Sequence, residues 1–99
     1  MASGHSGLQK EVLALYRSAL RMVRTKPVAT RPSFRLFIRY SFKTQAESIS
    51  PRDVSAIEHL LRKGRRQLET YEDIKVRNIW VSKAMQEWEE KEGGRRNLQ

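Results

Sequence analysis

Apolar residues recur along the chain at helical spacing, in blocks separated by proline-marked breaks. Leu8, Val12, Leu15, Ala19, Met22 and Val23 share one face of a helix expected from about Leu8 to Arg24. Lys10, Arg17, Arg21 and Arg24 fall on the opposite face, because about 100° per residue brings steps of 7, 11 and 14 back near their start. Leu13, Tyr16 and Leu20 add a stripe beside the core face, so this helix is expected to be covered on more than one side. Lys26-Pro27 ends it, since the residue before proline avoids the α region. A second helix is predicted from near Pro32, with Thr30 or Arg31 in the capping region, to about Glu47. Phe34, Phe37, Ile38, Ser41 and Phe42 form its inner face, and Arg31, Arg35, Arg39 and Lys43, spaced by four, form a cationic ridge.

Ser50-Pro51-Arg52-Asp53 reads as a helix start, with Ser50 as N-cap, Pro51 in the first helical position and Asp53 closing a capping box. The third helix then turns Val54, Ile57, Leu60, Leu61, Leu68 and Tyr71 inward. Gly64 falls on the same face. A glycine inside a helix costs roughly 1 kcal/mol relative to alanine; the room it leaves lets another helix, or something threaded between helices, come close. In the tail, Val76, Trp80, Ala84 and Trp88 suit a fourth helix from about Arg77 to Gly93-Gly94, with Ile74-Lys75-Val76 as an extended alternative. Residues 1–7 are rich in glycine and serine and are expected to be disordered. The fold class is all-α, with residues 8–72 as the main domain and 73–99 as a C-terminal extension.

Composition narrows the function. The 99 residues fit one domain, and 38% hydrophobic content is low for a self-sufficient globule, so a partner is expected to complete the fold. A net charge of +9 points to an acidic partner: nucleic acid, an anionic membrane or an acidic protein. The charge is segregated. Between Val12 and Ala46 stand Arg17, Arg21, Arg24, Lys26, Arg31, Arg35, Arg39 and Lys43, with no acidic residue. A second basic cluster is Arg62, Lys63, Arg65 and Arg66, whereas Glu87, Glu89, Glu90 and Glu92 make the tail acidic. Such a one-sided surface steers an acidic partner, although a solvated surface is the plainer reading.

There is no cysteine, which removes disulfides and thiolate ligation of zinc or an iron–sulfur cluster. His5 and His59 are solitary and make no metal site. No apolar run approaches the roughly 18 residues that span a bilayer. Neither paired carboxylates, a nucleophile–base set nor a phosphate loop is apparent, so an enzyme is not expected. Nucleic-acid binding is the rival from composition. It finds no helix-turn-helix, zinc-finger or RNA-recognition signature, and most aromatic residues lie on inward faces where bases cannot stack.

Leu15-Tyr16-Arg17, within Leu8-Gln9-Lys10-Glu11-Val12-Leu13-Ala14-Leu15-Tyr16-Arg17, resembles the signature and opening helix of the LYR family. Phe42 stands where that family places a downstream phenylalanine. Residues 57–68, from Ile57-Glu58-His59-Leu60 to Gln67-Leu68, are similar to the third helix of its succinate dehydrogenase assembly branch, in fungal-like form. Ser6-Gly7 and Thr25-Lys26-Pro27 fit the same branch. The resemblance covers about residues 6–72; the stretch from Asp73 departs from it.

The resemblance implies an antiparallel three-helix LYR-type bundle in the mitochondrial matrix. It implies docking by the mitochondrial acyl carrier protein, whose acyl-phosphopantetheine inserts between the helices, with no cofactor bound directly. It further implies a client, the iron–sulfur subunit of succinate dehydrogenase, and contact with the iron–sulfur co-chaperone. The first ten residues carry neither a secretory apolar core nor an Arg-rich presequence, so any import signal is expected inside the chain.

On this reading Lys10, Tyr16, Arg17, Arg21, Arg39 and Lys43 are the candidate carrier surface. Leu15, Phe42, Leu61, Gly64 and Leu68 are the candidate acyl slot, and Arg65 and Arg66 the candidate client or co-chaperone contact. Bland alternatives stand beside these. Tyr16 equally suits half-buried packing, Phe42 and the leucines suit plain core, and Trp80 and Trp88 suit either a core stripe or an exposed anchor. Service to another respiratory complex is the alternative within the family.

Overall fold

The computed structural model describes the backbone of residues 7–97 and the side chains of residues 7–92. Among the described residues there are four α-helices and no β-strand: α1 Gly7–Met22, α2 Arg31–Ser48, α3 Val54–Glu72 and α4 Lys83–Asn97. The protein is all-α. The disorder expected at the start concerns residues outside those described, except Gly7, which is helical and opens α1.

The first three helices run up, down and up. Tyr16 of α1 meets Phe42 of α2, while Ala19, Met22 and Val23 close on Phe34 and Ile38, so contacts advance along α1 as they retreat along α2. α3 follows α1: Leu15 lies against Gly64, and Leu68 and Tyr71 reach the Ala19–Val23 end. Leu36, which the periodicity did not place inside, is buried, whereas Val54, expected inward, is exposed in the first turn of α3.

The joint between α1 and α2 explains where both helices stop. After Met22 the chain tightens into a 3-10 turn, Val23–Thr25, and Lys26 is extended (φ −91°, ψ 158°), as a residue before proline must be. Thr25 Oγ1 donates to Met22 O (2.7 Å). Arg31 Nε donates to Lys26 O (2.9 Å) and its Nη2 to Arg24 O (3.1 Å). These carbonyls would otherwise lack partners at a helix end. Arg31 therefore works inside the fold and drops out of the cationic ridge.

The start of α3 differs from the expectation. Asp53, not Ser50, is the N-cap: its Oδ1 accepts from Ala56 N–H (3.1 Å). Ser50-Pro51-Arg52 instead makes a turn closed by Asp53 N–H to Ser50 O (3.0 Å), and the Ser50 hydroxyl is spent on Arg52 N–H (3.2 Å).

The tail also differs. Residues 76–82 have no regular secondary structure, and α4 begins only at Lys83, where Ser82 Oγ accepts from Met85 N–H (3.1 Å). The cause is Lys26. Its side chain is buried, 3% exposed, and Nζ donates to Asp73 O (3.1 Å) and Val76 O (2.6 Å) while lying 5.3 Å from the Phe34 ring centre. This clasp fixes the 73–76 turn, which Val76 N–H to Asp73 O closes (2.9 Å). It also removes Lys26 from the surface cations among which the sequence placed it. The stripe Val76–Trp80–Ala84–Trp88 consequently never forms one helical face. Val76 and Ile79 pack on the core, Trp80 is exposed, and Trp88 meets the Tyr40 ring edge-on (5.8 Å) and the Arg39 guanidinium (5.6 Å). α4 runs through Gly93-Gly94, where the sequence had placed its end.

Lys26→Met keeps the apolar stem and deletes the donors. It is expected to lower unfolding stability by about 1–3 kcal/mol and to speed amide exchange at residues 73–82 ahead of α1 and α3. A denaturant midpoint and exchange pattern equal to the parent's would show that the clasp is not structural.

Candidate functional site

α3 lies along α1 but splays from α2, which it meets chiefly where Tyr71 abuts Phe37 edge-on at 5.7 Å. Between the two, floored by α1, is a cavity of about 460 Å³. That size is within the roughly 300–1,000 Å³ of small-molecule sites. Val12, Leu13, Leu15, Ala19 and Met22 line it from α1, Phe37, Ile38 and Phe42 from α2, and Ile57, Leu60, Leu61, Leu68 and Tyr71 from α3. None of the lining side chains is charged. Gln9, Gln45 and Ser50 line it at the end where α1 begins and α2 stops, and Ala19, Met22, Ile38, Gln67 and Tyr71 toward the other end.

Gly64 sets this geometry. A Cβ built there would lie 2.8 Å from Leu15 Cδ2, closer than carbon atoms tolerate. The missing side chain lets Leu15 nest against the α3 backbone and draws the two helices together. Leu15, Phe42, Leu61, Gly64 and Leu68, the sequence's candidate slot, all line this one cavity. Phe37, expected on the inner face of α2, and Leu13, expected in the stripe beside the core face of α1, line it too, as do Gln9, Gln45, Ile49 and Pro51, which no local pattern in the sequence marks.

The candidate carrier surface divides. Lys10, Arg17, Arg21 and Lys43 are exposed, and Arg21 Nη2 donates to Ser18 Oγ (3.0 Å). Arg39 is half-buried and committed to Trp88. Tyr16 is half-buried with its ring tilted on Phe42 (centroids 5.0 Å apart). Of the eight cations between Val12 and Ala46, Lys26, Arg31 and Arg39 thus serve internal contacts, while Arg17, Arg21, Arg24, Arg35 and Lys43 stay exposed. Arg65 Nη2 pairs with Glu11 Oε1 (2.7 Å), a brace between α3 and α1 with both side chains about half exposed, and Arg66 is exposed. His59 is exposed, and among the described residues no cluster of His, Cys, Asp or Glu converges as a metal site.

The described residues thus form a helical bundle hollowed between its second and third helices, with cations outside. A family model described as Complex 1 protein (LYR family) matches residues 10–70, and the chain belongs to that family. It is 49% identical to succinate dehydrogenase assembly factor 1A, mitochondrial, of Dictyostelium discoideum over 71 residues, covering 70% of this chain and 77% of that protein. It is 39% identical to succinate dehydrogenase assembly factor 1, mitochondrial, of Saccharomyces cerevisiae (strain YJM789) over 74 residues, 75% of this chain and 92% of that one. The protein so named in Schizosaccharomyces pombe is 38% identical over 77 residues, 78% of this chain and 96% of that one. No solved structure matches the chain.

Two substitutions at Gly64 separate close approach from helix propensity. Gly64→Ala gains up to about 1 kcal/mol of propensity and displaces only the flexible end of Leu15, so stability is expected to change by less than about 1 kcal/mol. Gly64→Leu must push α1 and α3 apart and is expected to cost about 2–3 kcal/mol. Equal chemical-denaturation midpoints for the two variants would remove the close-approach role.

Proposed function

We propose that the protein is a non-enzymatic assembly factor for succinate dehydrogenase, acting in the mitochondrial matrix. The cleft takes the acyl chain that an acidic mitochondrial acyl carrier protein carries on its phosphopantetheine. The observation that carries this reading is the uncharged apolar cleft in a chain whose relatives are named as mitochondrial succinate dehydrogenase assembly factors. Burial of each methylene contributes about 0.8 kcal/mol, so an acyl chain along Leu15, Phe42, Leu61 and Leu68 gains several such increments. Gln9, Gln45 and Ser50, at one end of the cleft, suit the amide-bearing phosphopantetheine arm.

Carrier docking falls to the exposed cations Lys10, Arg17, Arg21 and Lys43, which attract acidic side chains without first breaking internal contacts. The client is the iron–sulfur subunit of succinate dehydrogenase, brought to maturation with the iron–sulfur co-chaperone. Arg65 and Arg66 serve that contact. The exposed Arg65–Glu11 pair is worth at most about 1 kcal/mol and is readily exchanged for a partner's carboxylate. With no cysteine in its 99 residues, the chain has no thiolate to hold the cluster, which stays on the client.

Co-expressed with the mitochondrial carrier and purified, the protein is expected to retain it, with an intact mass that includes phosphopantetheine and an acyl chain. Arg17→Glu should weaken capture about tenfold at unchanged helicity. Recovery without any acylated carrier would overturn the cleft assignment. Deletion of the gene should lower succinate dehydrogenase activity selectively; loss confined to a different respiratory complex would overturn the client.

A further inference from the structure

The cleft closes at one end. Among the described residues its lining stops on all three helices at one level: Met22 on α1, Phe37 on α2 and Tyr71 on α3. Because α2 runs against the other two helices, these residues mark the end far from Gln9 and Gln45. Further in, Val23 (2% exposed) and Phe34 (0%) do not line the cavity. They belong to the buried cluster, whose close packing leaves no path for a chain to continue. Tyr71 stands at the boundary, packed on that cluster and lining the cavity, and its ring meets that of Phe37 edge-on at 5.7 Å.

The pair is also backed from behind. Two residues after Tyr71, the Asp73 carbonyl accepts from Lys26 Nζ (3.1 Å). The same Nζ lies 5.3 Å from the centre of the Phe34 ring, about one turn of α2 from Phe37. We propose that the Phe37–Tyr71 pair is the end wall of the cleft and sets the longest acyl chain that it accepts. The inference rests on the acyl-chain reading of the cleft. Each methylene that enters before the wall leaves water and tightens binding about fourfold. Methylenes beyond the wall have no apolar surface left to cover, so the gain stops there. Ser41, half-buried and one turn of α2 from Phe37 toward the other end, lines the same space.

Titration of the full chain with mitochondrial acyl carrier protein tests it, using carrier loaded with single saturated acyl chains of increasing length and unacylated carrier as reference. Affinity is expected to rise about fourfold per methylene to a ceiling and then level off. Tyr71→Leu and Phe37→Leu each withdraw a ring while staying apolar. Each should move the ceiling to longer chains, with about fourfold tighter binding for every methylene newly admitted. Ser41→Leu fills space before the wall and should move the ceiling to shorter chains. Far-ultraviolet dichroism should match the parent's in all three variants. A ceiling unmoved in both ring variants overturns the wall while the acyl-chain reading stands. Equal affinity for the unacylated carrier and for every chain length overturns that reading, and the wall with it.

Discussion

Leu15 lies against the bare backbone of Gly64, and that contact seats α3 closely on α1, while α3 stands off from α2. Its consequence is an interior with apolar walls that do not meet. Only eight hydrophobic side chains are buried among the described residues, and Phe37, Phe42, Leu60 and Leu68 stand around the cavity half-covered. In a chain this short, conformational entropy opposes folding at over 1 kcal/mol per residue, so half-used apolar surface matters. A ligand that fills the cleft adds the missing contacts, and because it binds only the folded arrangement it stabilises that arrangement by mass action.

The electrostatics follow the same division between finished and unfinished surface. A count of charges gives eight cations and no anion between Val12 and Ala46, yet the fold uses three of them itself. Lys26 and Arg31 donate to carbonyls left over at chain turns, and Arg39 lies against Trp88. The exposed remainder is screened little by the fold, since the one ion pair seen among the described side chains joins Arg65 to Glu11 on another face. Like charges held on neighbouring helices repel, and an acidic partner relieves that repulsion.

Helix existence was legible in the sequence because periodicity is a local signal: α1, α2 and α3 each carry apolar residues at steps of three and four. Gly64 was legible for a related reason, since a helix breaker on an inward face has few uses other than close approach. Where reading failed, the deciding contact was distant. Nothing near Lys26 indicates that its ammonium will reach carbonyls 47 and 50 residues away, and without that clasp the tail's spacing of four does suit a helix. The Asp53 cap was missed over a shorter range: Ser50-Pro51 satisfies the rules for a helix start and for a turn equally, and the turn takes the serine's hydroxyl. The cleft residues were legible as apolar and inward, but their facing a void depends on how far two helices stand apart.

The family match stops at residue 70, but the folded unit does not. Lys26, inside the matched region, binds the backbone just beyond it, and Val76 and Ile79 pack on the cluster that contains Phe34 and Ile38. Ile38 also lines the cavity. α2 is therefore held on one side by the tail and bounded on the other by empty space, with Trp88 on Tyr40 adding a second attachment further along the helix. The extension thus packs on the same helix that walls the cleft, and Lys26 ties it to the matched region.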